Sequence, residues 1–306
     1  MVSFRFHLVS LVAVFMALGV GVLAGTTVIN RGIVAQLERR TADLAQRTEE
    51  LEGDLSGLQA EVETWDAFGE EVMDTLLTGR LNGTRVLLIT QEGTDDGSID
   101  GVLRAMDLAS DETVVGPLIV TGRMALSAES DRADLAAILG MDPVAEPETL
   151  QAEAAAQLSE RLAFGASGED ILERLREAGF LVDEGPGLTE AILRNIGQPG
   201  QAVVVLAGGP SPSRLRPERF LVPLVADLAG DGTTVAAGEP VNGQEQEPPF
   251  VSLLRSGDVS TVVATQDNVD QMPGQIGLVL ALQDLLRGIP GHYGVKDGAA
   301  QAVPEV

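Results

Sequence analysis

The sequence predicts an α/β protein: a single N-terminal transmembrane helix, a long coiled-coil helix, then an α/β domain whose mostly parallel sheet is covered by helices. Three observations carry this. Leu8–Ile29 reads LVSLVAVFMALGVGVLAGTTVI, 22 residues without a charge, and about 20 apolar residues suffice to cross a hydrocarbon core as a helix. Leu37, Leu44, Leu51, Leu58, Trp65 and Val72 then fall seven apart. From Thr84 onward, short apolar runs ended by turn residues alternate with helical periods, the pattern of strands buried on both faces. The expected segments are a membrane anchor at 1–32, a stalk at 33–78, an α/β domain at 79–298 and a loose tail at 299–306.

The anchor opens with Ser3-Phe4-Arg5-Phe6-His7, a short basic lead shared by signal peptides and signal anchors. Val22-Leu23-Ala24 offers small residues resembling a cleavage site. A signal peptide's apolar region is usually about 7–15 residues, shorter than this one, so an uncleaved anchor is expected. Orientation stays open. Arg31, Arg39, Arg40 and Arg47 outnumber Arg5, but Glu38, Asp43, Glu49 and Glu50 are mixed among them. Ala17, Gly21 and Gly25 are spaced four apart, which lets two membrane helices approach closely, although small residues are common in such helices anyway.

After a break expected at Asn30-Arg31-Gly32 comes the heptad run. The Leu-rich positions above take d; Val34, Thr41, Thr48, Leu55, Val62, Gly69 and Leu76 take a. Leu at d with mainly β-branched residues at a favours a parallel two-stranded coiled coil. The oligomerisation set is therefore Leu37, Leu44, Leu51, Leu55, Leu58 and Val62, with Gly21 and Gly25 in the membrane. Arg47 (g) can pair with Glu52 (e) across a parallel dimer, whereas Glu61 and Asp66 would repel. Continued backwards, the heptad puts Val20, Leu23 and Thr27 on the seam rather than Gly21 and Gly25. Either the break resets the rotation or only one face is used. The alternative to a dimer is one helix folded back on the C-terminal domain.

In the domain, Arg85–Thr90 reads as a buried strand, Ile99–Leu108 as a helix, and Thr113–Thr121 as a strand bulged at Gly116-Pro117. Helices are expected at Ser127–Leu139 with Ser127 as N-cap, Leu150–Phe164, Glu169–Ala178, Leu188–Ile196, Pro217–Leu228 and Gln275–Leu286. Further strands are expected at Gln201–Leu206, Thr233–Ala237 and Asp258–Thr265, the last around the apolar run Val259–Ala264. Asn242–Pro249 reads as a loop.

Composition excludes several functions. There is no cysteine, so disulfides, thiolate catalysis and Cys-ligated zinc or iron–sulfur sites are ruled out. With 46 acidic against 20 basic side chains and a formal net charge of −26, the chain repels nucleic acid. The single lysine is Lys296.

Three stretches carry the candidate chemistry. Ala207-Gly208-Gly209-Pro210-Ser211 follows a strand, where a Gly-rich loop can cradle an anion with its backbone N–H groups; it lacks the GxGxxG pattern and the Walker lysine, and a Gly/Pro turn is the plainer reading. Asp267 and Asp270 can bind a hard cation or serve as turn and cap residues. His292 can be a metal ligand, an acid–base group or a structural histidine. GxSxG, HExxH and paired-His motifs are missing, and Met73, Met106, Met124, Met141 and Met272 are isolated in sequence. No cofactor is evident. Read alone, the residues describe a membrane-tethered interaction module, not an enzyme.

The N-terminal run Ser3–Leu18 with Gly19, Gly21 and Gly25 resembles the mycobacterial copper transport protein B family of actinobacteria. So do Thr261-Val262-Val263, Asp267-Asn268-Val269-Asp270, Gly274–Leu282 and Gly291-His292-Tyr293-Gly294. The resemblance covers the whole chain in order. It implies a single membrane helix, an exported domain and a role in copper homeostasis or efflux, with copper known only through the resemblance. It also implies a rival role in cell-envelope separation with a membrane partner, and no catalytic residues to carry over.

Overall fold

A computed structural model describes residues 4–112, 114–184, 189–209, 215–241 and 249–305, with the backbone alone described at 4–5, 26–35, 66 and 190. The chain divides into two compact units, Met1–Asp66 and Ala67–Val306.

The first unit is helical. Helix α1 (Phe4–Leu77) starts here and is continuous through Asn30-Arg31-Gly32, so the break expected at Gly32 is absent. One glycine costs a helix only about 1 kcal/mol relative to alanine, which its flanking turns offset. Phe6–Gly25 is the candidate membrane span among the described residues, by length and composition. Farther along, Leu37, Leu44, Leu51, Leu55, Leu58 and Val62 are all 57–64% exposed.

The second unit holds the last turns of α1, from Ala67, and a seven-stranded sheet in the order β3-β2-β1-β4-β5-β6-β7. The strands are β1 (Arg85–Gln91), β2 (Val114–Val120), β3 (Leu181–Asp183), β4 (Gln201–Leu206), β5 (Thr234–Glu239), β6 (Ala264–Asp267) and β7 (His292–Tyr293). All pairs are parallel except β2–β3. The α/β fold with a mostly parallel, helix-covered sheet is thus as the sequence predicted.

The central strands alternate between two cores. Val86, Leu88, Val204 and Ala236 face α1, α2 (Asp96–Ala109) and α9 (Met272–Leu286), meeting Met73, Leu77, Val102 and Leu278. Leu87, Ile89, Val203, Val205 and Val235 face the other core. It is built from α3 (Glu129–Leu139), α4 (Pro147–Phe164), α5 (Ile171–Glu177), α7 (Leu221–Gly230) and α8 (Phe250–Ser256), with Leu158, Leu172, Phe220 and Phe250 fully buried. A strand covered on both faces has no polar side, which is why these runs read as continuous apolar stretches.

The bulge expected in β2 is present: the β1–β2 register shifts between Leu87 and Ile89. Gly116 there has φ +119, and a Cβ would lie 2.5 Å from the Leu88 carbonyl oxygen.

Several expectations need correction. Residues 258–261 form a 3-10 turn, and the strand begins only at Ala264, where pairing with β5 starts; Val262 is half exposed and pairs with nothing in the sheet. The N-cap of α3 is Ala128, not Ser127, with no side-chain cap bond. The expected Pro217–Leu228 helix is a 3-10 turn at Pro217–Arg219 followed by α7, the two separated at Phe220. Helix α6 (Glu190–Asn195) is capped by Thr189, whose Oγ1 accepts the Ile192 N–H; Leu188 lies outside the described residues, as does most of the 242–249 loop. The tail expected to be loose is tied down: Gly294 N donates to Gln301 O (2.9 Å), Ala300 N to His292 O (2.8 Å) and Gln266 Nε2 to Ala302 O (3.1 Å). Helix α8 and strands β3 and β7 were not foreseen.

Candidate functional site

In an open parallel sheet, ligands bind beyond the C-terminal strand ends, at the point where strand order reverses. Here β1 neighbours both β2 and β4, so that crevice lies between β1 and β4. It is closed by the chain itself. Asp95 N donates to Gly208 O (3.4 Å) across it. A side chain at Gly209 would collide with the Gly93 carbonyl, and one at Gly208 would press on Glu239 and Pro240. The N-terminus of α2 already holds a carboxylate: Asp95 Oδ2 accepts from Ser98 N (2.8 Å) and Ser98 Oγ (2.9 Å). That carboxylate occupies the position favourable to an anion and repels another. Gly208 and Gly209 are therefore close-approach glycines rather than an anion cradle; Ser211 lies outside the described residues. Gly209→Ala is expected to cost about 1–3 kcal/mol, since backbone on both sides must shift; an unchanged melting temperature would sink this assignment.

Asp267 and His292 are brought together, through a residue the sequence did not flag. Asp267, wholly buried at the end of β6, accepts from Val295 N (2.5 Å) and Lys296 N (3.1 Å) and forms an ion pair with Arg255 Nη2 (2.9 Å). Arg255, on α8, also donates from Nε to Thr265 Oγ1 (2.9 Å), from Nη2 to Tyr293 O (2.6 Å) and from Nη1 to Asp297 O (3.2 Å). Thr265 Oγ1 lies 3.0 Å from His292 Nδ1. One strand over, Glu239 pairs with Lys296 Nζ (3.4 Å) and accepts from Val251 N (3.1 Å). Asp270 stands apart and accepts from Val241 N (2.8 Å).

Burial pushes the Glu239 carboxyl above the ordinary glutamate value, opposed by Lys296 and by the Val251 and Phe250 backbone N–H groups. Burial, then the Arg255 charge, pushes His292 below the ordinary histidine value, opposed by a hydrogen bond to the Ser260 backbone.

Every oxygen of Asp267 is thus engaged by N–H groups, and the His292 ring is held by Thr265 and Ser260. Among the described residues no three His, Asp or Glu side chains are grouped as metal ligands. Arg255, Thr265, Glu239 and Lys296 were missed by sequence reasoning. The one available signal was that Lys296 is the only lysine in the chain.

The glycines around this network are placed by contact. A side chain at Gly294 would run into the Asp267 carboxylate, at Gly277 into Gln266, at Gly274 into the Asn268 backbone, and at Gly291 into the Tyr293 ring. These are the residues of the C-terminal motifs.

Fold and site together define an α/β protein that begins with a membrane-length apolar helix and fills its own C-terminal strand ends with buried ion pairs. The chain belongs to the family described as "Copper transport outer membrane protein, MctB", which matches residues 1–304. Proteins named "Copper transporter MctB" from Mycobacterium bovis and from two strains of Mycobacterium tuberculosis are 27% identical over 327 aligned positions. The alignment covers 98% of this chain and 98% of each relative. The family resemblance seen in the two terminal motifs is confirmed.

Proposed function

We propose that this chain is a single-pass membrane protein of copper transport and homeostasis, acting in efflux without catalysis and as an oligomer, with the bulk of the chain extracytoplasmic. The observation that carries the reading is the combination of family membership with one membrane-length helix and an exposed heptad seam on the same continuous α1. A lone helix cannot enclose a path for an ion, so passage of copper as cargo requires several copies or a partner. In a continuous helix Gly21 and Gly25 fall off the heptad seam, so we assign self-association to Leu37, Leu44, Leu51, Leu55, Leu58 and Val62, as a parallel dimer or higher oligomer. We assign Asp267, Asp270 and His292 structural roles rather than ligation, because their polar atoms hold the chain to itself.

Deleting the gene is expected to sensitise cells to copper. Wild-type protein restores tolerance; the Leu44→Asp/Leu51→Asp variant does not. The second reading is an envelope scaffold or regulator of cell separation that binds a membrane partner through α1. It is favoured by the internal engagement of the polar groups that would have bound metal. Normal copper tolerance together with chained, unseparated cells would establish it in place of the first.

A further inference from the structure

His292 ends a hydrogen-bond chain that starts at Arg255. Arg255 Nε donates to Thr265 Oγ1 (2.9 Å). That hydroxyl, having accepted from Arg255, has its own proton to give to His292 Nδ1 at 3.0 Å. With Nδ1 accepting, the neutral ring carries its proton on Nε2. A neutral imidazole satisfies this chain of donors and acceptors. A proton on Nδ1 makes the hydroxyl an acceptor from both sides and sets a second cation beside Arg255.

Among the described residues no carboxylate forms an ion pair with the ring. Helix α8 contributes Arg255, whose side chain is only 4% exposed. Strand β6 contributes Asp267, already held by Arg255, Val295 N and Lys296 N. The 294–297 loop contributes Lys296, which lies against Glu239 of β5, and Asp297 through its carbonyl on Arg255. The 258–261 turn contributes the Ser260 backbone, with Asp258 as its first residue. Arg255 and Lys296 balance Asp267 and Glu239 while His292 is neutral.

The same atoms hold the C-terminal segment. Arg255 binds the Tyr293 and Asp297 carbonyls, His292 O accepts from Ala300 N, and Gly294 N donates to Gln301 O. We propose that residues 292–304 form an acid-sensitive latch: protonation of His292 unseats them from α8 and uncovers the edge of the sheet at β6.

The sign follows from burial. The folded-state pKa of His292 lies below its ordinary value of 6.5, so its contribution to stability is present above that value and is lost as pH falls through the folded pKa. Glu239 has the opposite sign: raised by burial, it takes up its proton more readily in the folded chain and does not favour release on acidification. Opening is therefore assigned to the imidazole.

The test is hydrogen exchange by mass spectrometry on the full chain in lipid nanodiscs at pH 7.5 and 5.5, corrected for intrinsic rates. Protection of segments containing Gly294 and Ala300, relative to Val204 and Val205, is expected to fall about tenfold at the lower pH. His292→Gln is expected to abolish that pH dependence. An unchanged ratio in the wild type, or an equal fall in His292→Gln, overturns the latch. If His292→Gln does not fold, Thr265→Val serves: it removes the donor to Nδ1 and is expected to move the opening midpoint to higher pH. A midpoint that stays put, or moves lower, overturns the proposal. Nitrogen-15 NMR of the imidazole gives a further check, since a proton found on Nδ1 at pH 7.5 contradicts the chain of donors.

Discussion

Arg255→Ala is expected to destabilise the Ala67–Val306 unit more than any other single charge removal at the strand ends. Its side chain is 4% exposed and its partner Asp267 is fully buried. Removing one member of such a pair leaves an uncompensated buried charge, at a cost of about 3–5 kcal/mol. For a unit of this size that is a fall in melting temperature of roughly 6–20 °C. Three further acceptors, Thr265 Oγ1, Tyr293 O and Asp297 O, lose their donor at the same time. Arg255→Lys is expected to recover little, because one ammonium group cannot reproduce the planar fork that serves all four acceptors. Arg47→Ala is the control: the Arg47–Asp43 pair is about two-thirds exposed on both sides, and such pairs are worth roughly 0–1 kcal/mol. Calorimetry on the full chain decides. Equal melting points for the Arg255 and Arg47 variants would show that the buried network does not hold the strand ends.

Leu44→Asp combined with Leu51→Asp is expected to turn an oligomer into a monomer while leaving the fold intact. Both leucines are more than 60% exposed on α1, so the folded unit loses little when they change. In a parallel pair of helices they sit at d, and four seam leucines become four carboxylates facing one another. Each buried leucine is worth about 1.5–3 kcal/mol, so the association constant is expected to drop at least about a thousandfold, at 1.4 kcal/mol per factor of ten. Sedimentation of the full chain in detergent, with the micelle contribution subtracted, reads the change directly. Identical masses for wild type and variant would remove the basis for self-association through the heptads.

What the sequence disclosed, and what it hid, follows from the kind of signal each element leaves. Strands β1 and β4 are legible because a strand covered on both faces must be apolar throughout, as Val86–Ile89 and Ala202–Leu206 are. Helix α1 is legible because its apolar residues recur at helical spacing over many turns. Strand β3 has three residues and β7 two, too few to show a period. Helix α8 was left unassigned, coming directly after the loop read at Asn242–Pro249. The start of β6 was misplaced because Val259–Ala264 is apolar whether it forms a turn or a strand, and only pairing with β5 tells the two apart. Asp267 and His292 were visible as residue types that carry chemistry. Their roles were not, because Arg255 reaches Asp267 directly and His292 through Thr265 from another element, and nothing in local spacing announces a partner at that distance. The glycines at 274, 277, 291 and 294 show the same limit: their motifs could be recognised, but the reason for each is a side chain or backbone met only in the fold.

The brevity of the outermost strands has a consequence for how copies of this chain meet. A long, flat, unpaired strand is a template on which another molecule's sheet can grow. Here the sheet tapers to stubs on both margins: β3 runs antiparallel to its neighbour for three residues, and β7 is followed by a single bridge to Gln301. A second molecule finds hydrogen-bonding positions for only a residue or two at either border. The fold thereby guards against amyloid-like stacking.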